Sequence, residues 1–346
     1  MTLVDLHCHI LPGVDDGAKD LPMALGMARD AVAQGISHIL LTPHHMDGEY
    51  TNHKVDVLRK TTAFQEALDA AKIPLTVFPG QEVHLTGELL RALDDDDILF
   101  MDEGGKYLLL ELPHSGIPEY TEDMIFELQA RGITPVIAHP ERNHGFQKEP
   151  DRLYDFVEMG CLTQLTSSSY LGVFGDNVEK LTAKIIRSGM GFAFSSDAHN
   201  FKGRQFLMGD AFKKLEQQAG KDVATRFNDD ARAILNGEEI VKPEFNQIGR
   251  PTWTKTLAEF MSYAVEEKLA YGLYQLSNDD SCSWYDFACE ILKDTQVQAE
   301  PVDSTAFPQK AYRPKHSVMS LDKVKATGFE IPTWQKALRS FKINLK

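Results

Sequence analysis

The chain has 346 residues, 42% of them hydrophobic and 25% charged, a balance that supports a packed core and argues against a disordered or membrane-spanning protein. A formal net charge of −15 leaves no surplus of Lys and Arg for a phosphate backbone, which argues against nucleic acid as a partner. The length suits two domains, and the four cysteines form neither a CxxC pair nor a dense framework, so a reducing cytoplasm is the expected compartment.

The N-terminus shows no charged region followed by an apolar run, so no targeting segment is expected. Seven short apolar runs then alternate with amphipathic stretches over the first two-thirds of the chain, the rhythm of parallel strands joined by helices. The first, "LVDLH" from Leu3, leads into "DLHCHILPGVDDG", which places His7 and His9 two apart and follows them with Asp15 and Asp16. Residues two apart on a strand share a face, so both imidazoles can reach the same ion. "DLPMALGMARDAVAQG" reads as a helix that Asp20 caps, Pro22 enters and Gly35 stops. "ISHILLTPHH" from Ile36 reaches His44, and "LTVFPGQE" from Leu75 reaches Glu82. The run "DDDD" from Asp94 to Asp97 reads as a solvated charged turn. "KYLLLE" from Lys106 ends on Glu111, "ITPVIAH" from Ile133 ends on His139, "CLTQLT" begins at Cys161, and "GFAFSSDAH" from Gly191 reaches Asp197 and His199. The carboxyl ends of parallel strands are where sites assemble, so these polar residues are expected in one mouth.

His7, His9, Asp16, His44, Glu82, Glu111, His139, Asp197 and His199 make nine imidazole or carboxylate groups, too many for one tetrahedral ion. Two or three divalent cations fit that count, and mixed nitrogen and oxygen donors suit Mn, Fe, Zn or Co better than Mg alone. Without clustered thiolates the set points to an open hydrolytic site, with phosphate ester hydrolysis as its natural chemistry. Arg142 in "AHPER" and Arg204 in "SSDAHNFKGR" add guanidinium forks that match phosphate oxygens. His45, His84 and His114 read as supporting or packing residues, and His38, His53 and His144 as carrying no chemistry. From Gly237 to Pro251 the composition becomes that of a linker, and the boundary is placed near Pro243 to Phe245, separating residues 1–242 from 243–346.

"DLHCHILPGVDDG", "LTPHH", "GQEV", "LLLELP", "AHPER" and "SSDAH" together resemble the polymerase-and-histidinol-phosphatase (PHP) superfamily, in its bacterial CpsB/YwqE-type protein-tyrosine phosphatase branch. The resemblance covers the first domain and implies an α/β fold, a distorted (β/α)7 barrel holding a metal cluster with manganese as the foremost ion. It makes the nine residues above the metal ligands, casts Arg142 and Arg204 as phosphate-binding, and leaves Asp16 or His44 as the proton donor. In that family a water activated by the cations attacks phosphotyrosine directly. The implied substrate is the phosphotyrosine tail of a tyrosine kinase that regulates capsular or exopolysaccharide synthesis, and a homo-oligomer is compatible with the resemblance. Histidinol phosphatases share the ligand set and stand as the alternative.

From "NQIGRPTWTKTLAEFM" through "YGLYQLSNDDSCSWYDFACEIL", "AYRPKHSVMSLDKV" and "PTWQKALRSF" the chain resembles the C-terminal third of dTDP-4-dehydrorhamnose reductase, including the step at Arg313 and Pro314. In that reductase this part shapes the sugar-nucleotide pocket. No Gly-rich strand-turn-helix fingerprint for a dinucleotide precedes it, so reductase activity is not expected and a gene fusion is. A non-catalytic regulator that binds sugar nucleotide is the reading from a different class. Trp284, Phe287 and Ile291 fit one helix face, read as core packing in a small C-terminal α/β segment.

Overall fold

The computed structural model describes residues 2–240, 248–297, 299 and 317–344. The chain divides into two compact units, Met1–Val241 and Lys242–Lys346. The boundary near Pro243 to Phe245, and the Arg313–Pro314 step, lie outside the described residues.

All seven apolar runs of the first unit form strands, and two of them are each broken in two. In chain order these are β1 (Leu3–Cys8), β2 (Ile36–Leu41), β3 (His44–His45), β4 (Thr76–Pro79), β5 (Glu82–His84), β6 (Tyr107–Glu111), β7 (Thr134–Ala138), β8 (Leu162–Thr166) and β9 (Ala193–Ser195). The breaks fall at Pro43, between β2 and β3, and at the end of β4, where Pro79 precedes Gly80. Proline has no N–H for the ladder, so each strand kinks there and resumes toward the mouth. Pairing is parallel throughout, in the orders β1-β2-β4 and β3-β5-β6-β7-β8-β9. The curled sheet returns to its start after β9, where His9 N donates to Ala198 O at 3.0 Å and Asp197 N to His7 O at 2.8 Å. Along that seam the buried Asp5 carboxylate accepts from Ser196 N at 2.9 Å, while Leu6 N donates to Ser195 Oγ at 3.3 Å. Side-chain bonds thus supplement the backbone bonds that close the seam.

Helices such as Leu21–Ala33, Lys54–Ala70, Thr121–Ala130 and Asp176–Arg187 connect successive runs. The first begins as expected: the Asp20 side chain accepts from Met23 N at 2.9 Å, and Gly35 beyond its end takes a left-handed φ of 85°. Every residue of β1, β6 and β8 is buried, as suits strands covered on both faces. The acidic turn is the charged surface feature expected of it: Asp94 pairs with Arg131 at 2.6 Å, Asp96 with Lys54 at 2.7 Å and Asp97 with His53 at 2.5 Å.

The second unit holds an antiparallel pair, β10 (Ile248–Gly249) and β11 (Cys282–Ser283), with helices including Thr254–Glu266, Trp284–Leu292 and Trp334–Asn344. Buried Asn278 ties it together by accepting from Trp253 N at 2.7 Å and donating to Pro332 O at 3.0 Å. The expected core face of helix Trp284–Leu292 is not core. Trp284 is 60% exposed and Ile291 40% exposed. Phe287 and Ile291 instead line an apolar groove of about 620 Å3 with Trp253, Trp334 and Phe341. Among the described residues of this unit, none buries that face of the helix.

Candidate metal centre

All nine expected ligands converge at the carboxyl ends of the strands. They fall into overlapping groups whose donor atoms lie within 4.8 Å of one another: His9, Asp16, His44 and His199; His7, Glu82 and His139; His7, His9 and Asp197; His44, Glu82 and Glu111. β1 gives His7 and, one residue past its end, His9; β3 gives His44, β5 Glu82 and β6 Glu111. His139 and Asp197 follow β7 and β9 with left-handed φ of 32° and 50°. Non-glycine residues held in that region mark backbone strain, which concentrates at functional sites. The loop that returns Asp16 to the cluster passes Gly17, where a Cβ would collide with the His9 carbonyl, so only glycine fits.

Glu82 is the hub. Its Oε2 lies 3.2 Å from His7 Nε2, 3.3 Å from His9 Nε2 and 3.0 Å from His44 Nδ1, while Oε1 lies 2.8 Å from His139 Nε2. Yet Glu82 Oε2 and His44 Nδ1, buried and close as they are, make no well-directed hydrogen bond. Buried polar atoms normally have one, so this arrangement serves something other than hydrogen bonding.

Two neighbours settle how the β1 imidazoles are presented. His7 Nδ1 bonds Gln164 Oε1 at 2.8 Å and His9 Nδ1 bonds Asp15 Oδ2 at 2.7 Å, which places a proton on each Nδ1. The two Nε2 atoms then face each other at 3.1 Å. Two lone pairs do not rest that close unless a positive charge lies beside them, either a proton or a metal cation. The residues present therefore fit a cluster of divalent cations, held by the four overlapping groups of donors.

The local fields agree. Burial pulls the His7 imidazole down, but the charges of Glu82 and Asp197 outweigh it and raise its pKa to about 9. Burial likewise opposes His44, which Glu82 and a bond with Asp16 lift to about 12. Burial raises the Asp197 carboxyl, and the opposing charges of Arg204 and Arg142 hold it well below the usual range. His199 is pushed down to about 4, by burial first and then by the charge of His9. For Asp16, burial acts upward while bonds from His199 and His44 keep it well below the usual carboxylate range. An ionised Asp16 suits a ligand of a cation.

Arg142 and Arg204 both reach the cluster through Asp197. Arg142 Nη1 donates to Asp197 Oδ2, and Arg204 Nη2 lies 2.9 and 2.8 Å from the two Asp197 oxygens. Arg204 comes back to the site because its carbonyl accepts from His199 N at 2.8 Å, closing a tight loop. Its buried Nε has no partner. His84 and His114 flank Glu111, at 3.1 and 3.9 Å. His45 joins none of the donor groups.

Asp15, Gln164 and Asp5 were not singled out from sequence. A polar residue inside an otherwise apolar strand is the signal that Gln164 in "LTQLT" and Asp5 in "LVDLH" carry, whereas Asp15 is indistinguishable from its neighbour Asp16. Because Asp15 orients His9, Asp15→Asn is expected to weaken cation binding about 10- to 100-fold with the fold intact. Titration of the metal-free variant with manganese checks this, and unchanged affinity would remove Asp15 from the centre.

The family model for capsular polysaccharide synthesis, CpsB/CapC, matches residues 3–236. Tyrosine-protein phosphatase YwqE of Bacillus subtilis is 37% identical over 258 residues, 75% of this chain and 100% of that protein. A putative tyrosine-protein phosphatase CapC of Staphylococcus aureus is 34% identical over 240 residues, 69% of this chain and 94% of its own length. A crystal structure from the study of YwqE from Bacillus subtilis and CpsB from Streptococcus pneumoniae, described as unique metal-dependent tyrosine phosphatases, superposes with a TM-score of 0.67. It is 37% identical and covers 70% of this chain and 97% of the other. The model of the RmlD substrate binding domain matches residues 230–345. Spore coat polysaccharide biosynthesis protein SpsK of Bacillus subtilis is 35% identical over 100 residues, 28% of this chain, which spans only 34% of SpsK. By its barrel, its nine-residue centre and these matches, the chain belongs to the CpsB/CapC capsular polysaccharide synthesis family.

Proposed function

We propose that this protein is a metal-dependent protein-tyrosine phosphatase that acts in the cytoplasm on the phosphotyrosine tail of a tyrosine kinase controlling capsular or exopolysaccharide synthesis. The observation that carries the reading is the convergence of nine donor residues in four overlapping groups, with His7 Nε2 and His9 Nε2 3.1 Å apart. Two or three divalent ions, manganese foremost, suit that donor set. Such ions, when bound, make water nucleophilic near neutral pH and neutralise charge on a phosphoryl group.

The remaining work belongs to side chains of the protein. Asp197 holds both guanidinium groups at the rim, and each keeps N–H groups that Asp197 does not use. Those forks bind and orient the phosphoryl oxygens. Gln164 and Asp15 orient the rings of His7 and His9, so that both Nε2 atoms face the centre. Comparing turnover of a phosphotyrosine peptide with that of histidinol phosphate, in manganese-loaded protein, tests the reading. A preference for the peptide supports it, and a preference for histidinol phosphate replaces it with a small-molecule phosphatase.

In this reading residues 1–242 form the catalytic domain and 243–346 a reductase-derived segment without its dinucleotide-binding half. No helix among the described residues is long and apolar enough to cross a membrane. A chain ending at residue 242 is expected to keep kcat/KM for the phosphotyrosine peptide within about threefold, since a domain with its own core folds alone. A collapse of activity in that truncated chain, with its circular dichroism retained, would show instead that the C-terminal segment completes the enzyme.

A further inference from the structure

β8 contributes none of the nine donors. Its Gln164 steadies His7, and the chain then leaves through the buried helix Ser167–Tyr170 into a tight loop, where Val173 N donates to Ser168 O at 3.0 Å and Gly175 N to Gly172 O at 3.0 Å. Left-handed glycines, Gly172 at φ 81° and Gly175 at 91°, permit so sharp a path. Between them Val173 is 44% exposed, and the half-buried ring of Phe174 lies with its centroid 4.9 Å from the guanidinium carbon of Arg142. Arg142 is bonded in turn to Asp197 of the cluster. An apolar pair is thus held at the rim of a strongly polar centre, beside the group suited to bind a phosphoryl oxygen.

We propose that Phe174 is a specificity residue that receives the aromatic ring of an aryl phosphomonoester whose phosphoryl group sits on Arg142. The inference rests on the phosphatase reading above and adds the residue that separates aryl from alkyl substrates. Only the ester oxygen stands between the phosphorus and the ring of an aryl phosphate, so a phosphoryl group bound to Arg142 carries that ring toward Phe174. The half-buried ring of Phe174, beside Arg142, offers such a ring an offset or edge contact. Tyr50, stacked on His44 with centroids 6.1 Å apart, supplies a second ring at the cluster. An alkyl phosphate brings no ring and gains nothing from either.

The test uses the full-length, manganese-loaded protein and two non-hydrolysable probes, benzylphosphonate and ethylphosphonate, with Phe174→Leu and Phe174→Tyr as variants. Phe174→Leu is expected to weaken benzylphosphonate about three- to tenfold, the worth of one aromatic pair, and to leave ethylphosphonate within about twofold. Phe174→Tyr should restore benzylphosphonate binding. Equal weakening of both probes would mean that the ring merely props Arg142, and no change in either would remove Phe174 from recognition; both results overturn the inference. Should Phe174→Leu fail to fold, Phe174→Met carries the same comparison. Turnover of phenyl phosphate and glycerol 2-phosphate by the unaltered protein keeps the two claims apart. If neither is hydrolysed the phosphatase reading fails, whereas hydrolysis with an unchanged aryl-to-alkyl ratio in the leucine variant sinks only the role of Phe174.

Discussion

Glu82→Gln is expected to cost at least one bound cation and about a thousandfold in kcat on a phosphotyrosine peptide, the loss of several kcal/mol of charge stabilisation. The substitution keeps the shape of the side chain and removes only its charge. That charge is shared among four imidazoles, since Oε2 lies 3.0 to 3.3 Å from three of them and Oε1 2.8 Å from the fourth. A neutral amide would turn N–H groups toward nitrogens that must offer lone pairs. The four histidines and the strands that carry them remain, so the variant should fold, with unchanged circular dichroism. Loss of activity with full metal content would assign Glu82 a role other than holding cations. Retained activity would exclude it from the centre. His139→Ala, which removes a donor bonded to the same carboxylate, should fail in the same direction.

The second large effect is a release of about two protons when the metal-free protein takes up manganese at pH 7. Without metal, His7 titrates at about 9 and His44 at about 12, so both are protonated at that pH. A cation needs their lone pairs and must displace those protons. Both pKa values are raised above the unfolded 6.5, so each group stabilises the metal-free fold fully below that value. The His7 contribution is lost as pH rises through 9, and that of His44 only near 12. The metal-free protein should therefore lose Tm between pH 6.5 and 9, while the gain in Tm on adding manganese grows over the same interval. Calorimetric titrations in buffers of different ionisation enthalpy count the protons directly. A count of zero at pH 7 would mean that the imidazoles are already neutral and that carboxylate charge does not pre-load the site.

Much of the centre was legible because strand geometry is a strong constraint. Once "DLHCH" is a strand, His7 and His9 must share a face, and once the runs are parallel their carboxyl ends must gather. Glu82, Glu111 and His139 could be placed by that logic alone, and their convergence follows from it. The residues that tune the donors were harder to see. Asp15 and Asp16 are adjacent and chemically identical, and only the turn through Gly17 decides which carboxylate meets His9 Nδ1 and which faces His44 and His199. Likewise, no spacing rule anticipates that Asp197 would gather both arginines, because their meeting depends on how two loops close around it. The interruptions at Pro43 and Pro79 were written in the sequence, but the runs read as continuous because their apolar residues continue on either side. For helix Trp284–Leu292, periodicity identified an apolar face without revealing whether anything lies against it.

Anomalous diffraction at the manganese edge, from crystals of the full chain grown with manganese, addresses the centre most directly. Two or three peaks are expected among His7, His9, Asp16, His44, Glu82, Glu111, His139, Asp197 and His199, with Glu82 touching more than one of them. An absence of peaks among these residues at saturating manganese, in protein that still hydrolyses phosphotyrosine, would contradict a metal-dependent centre built from them.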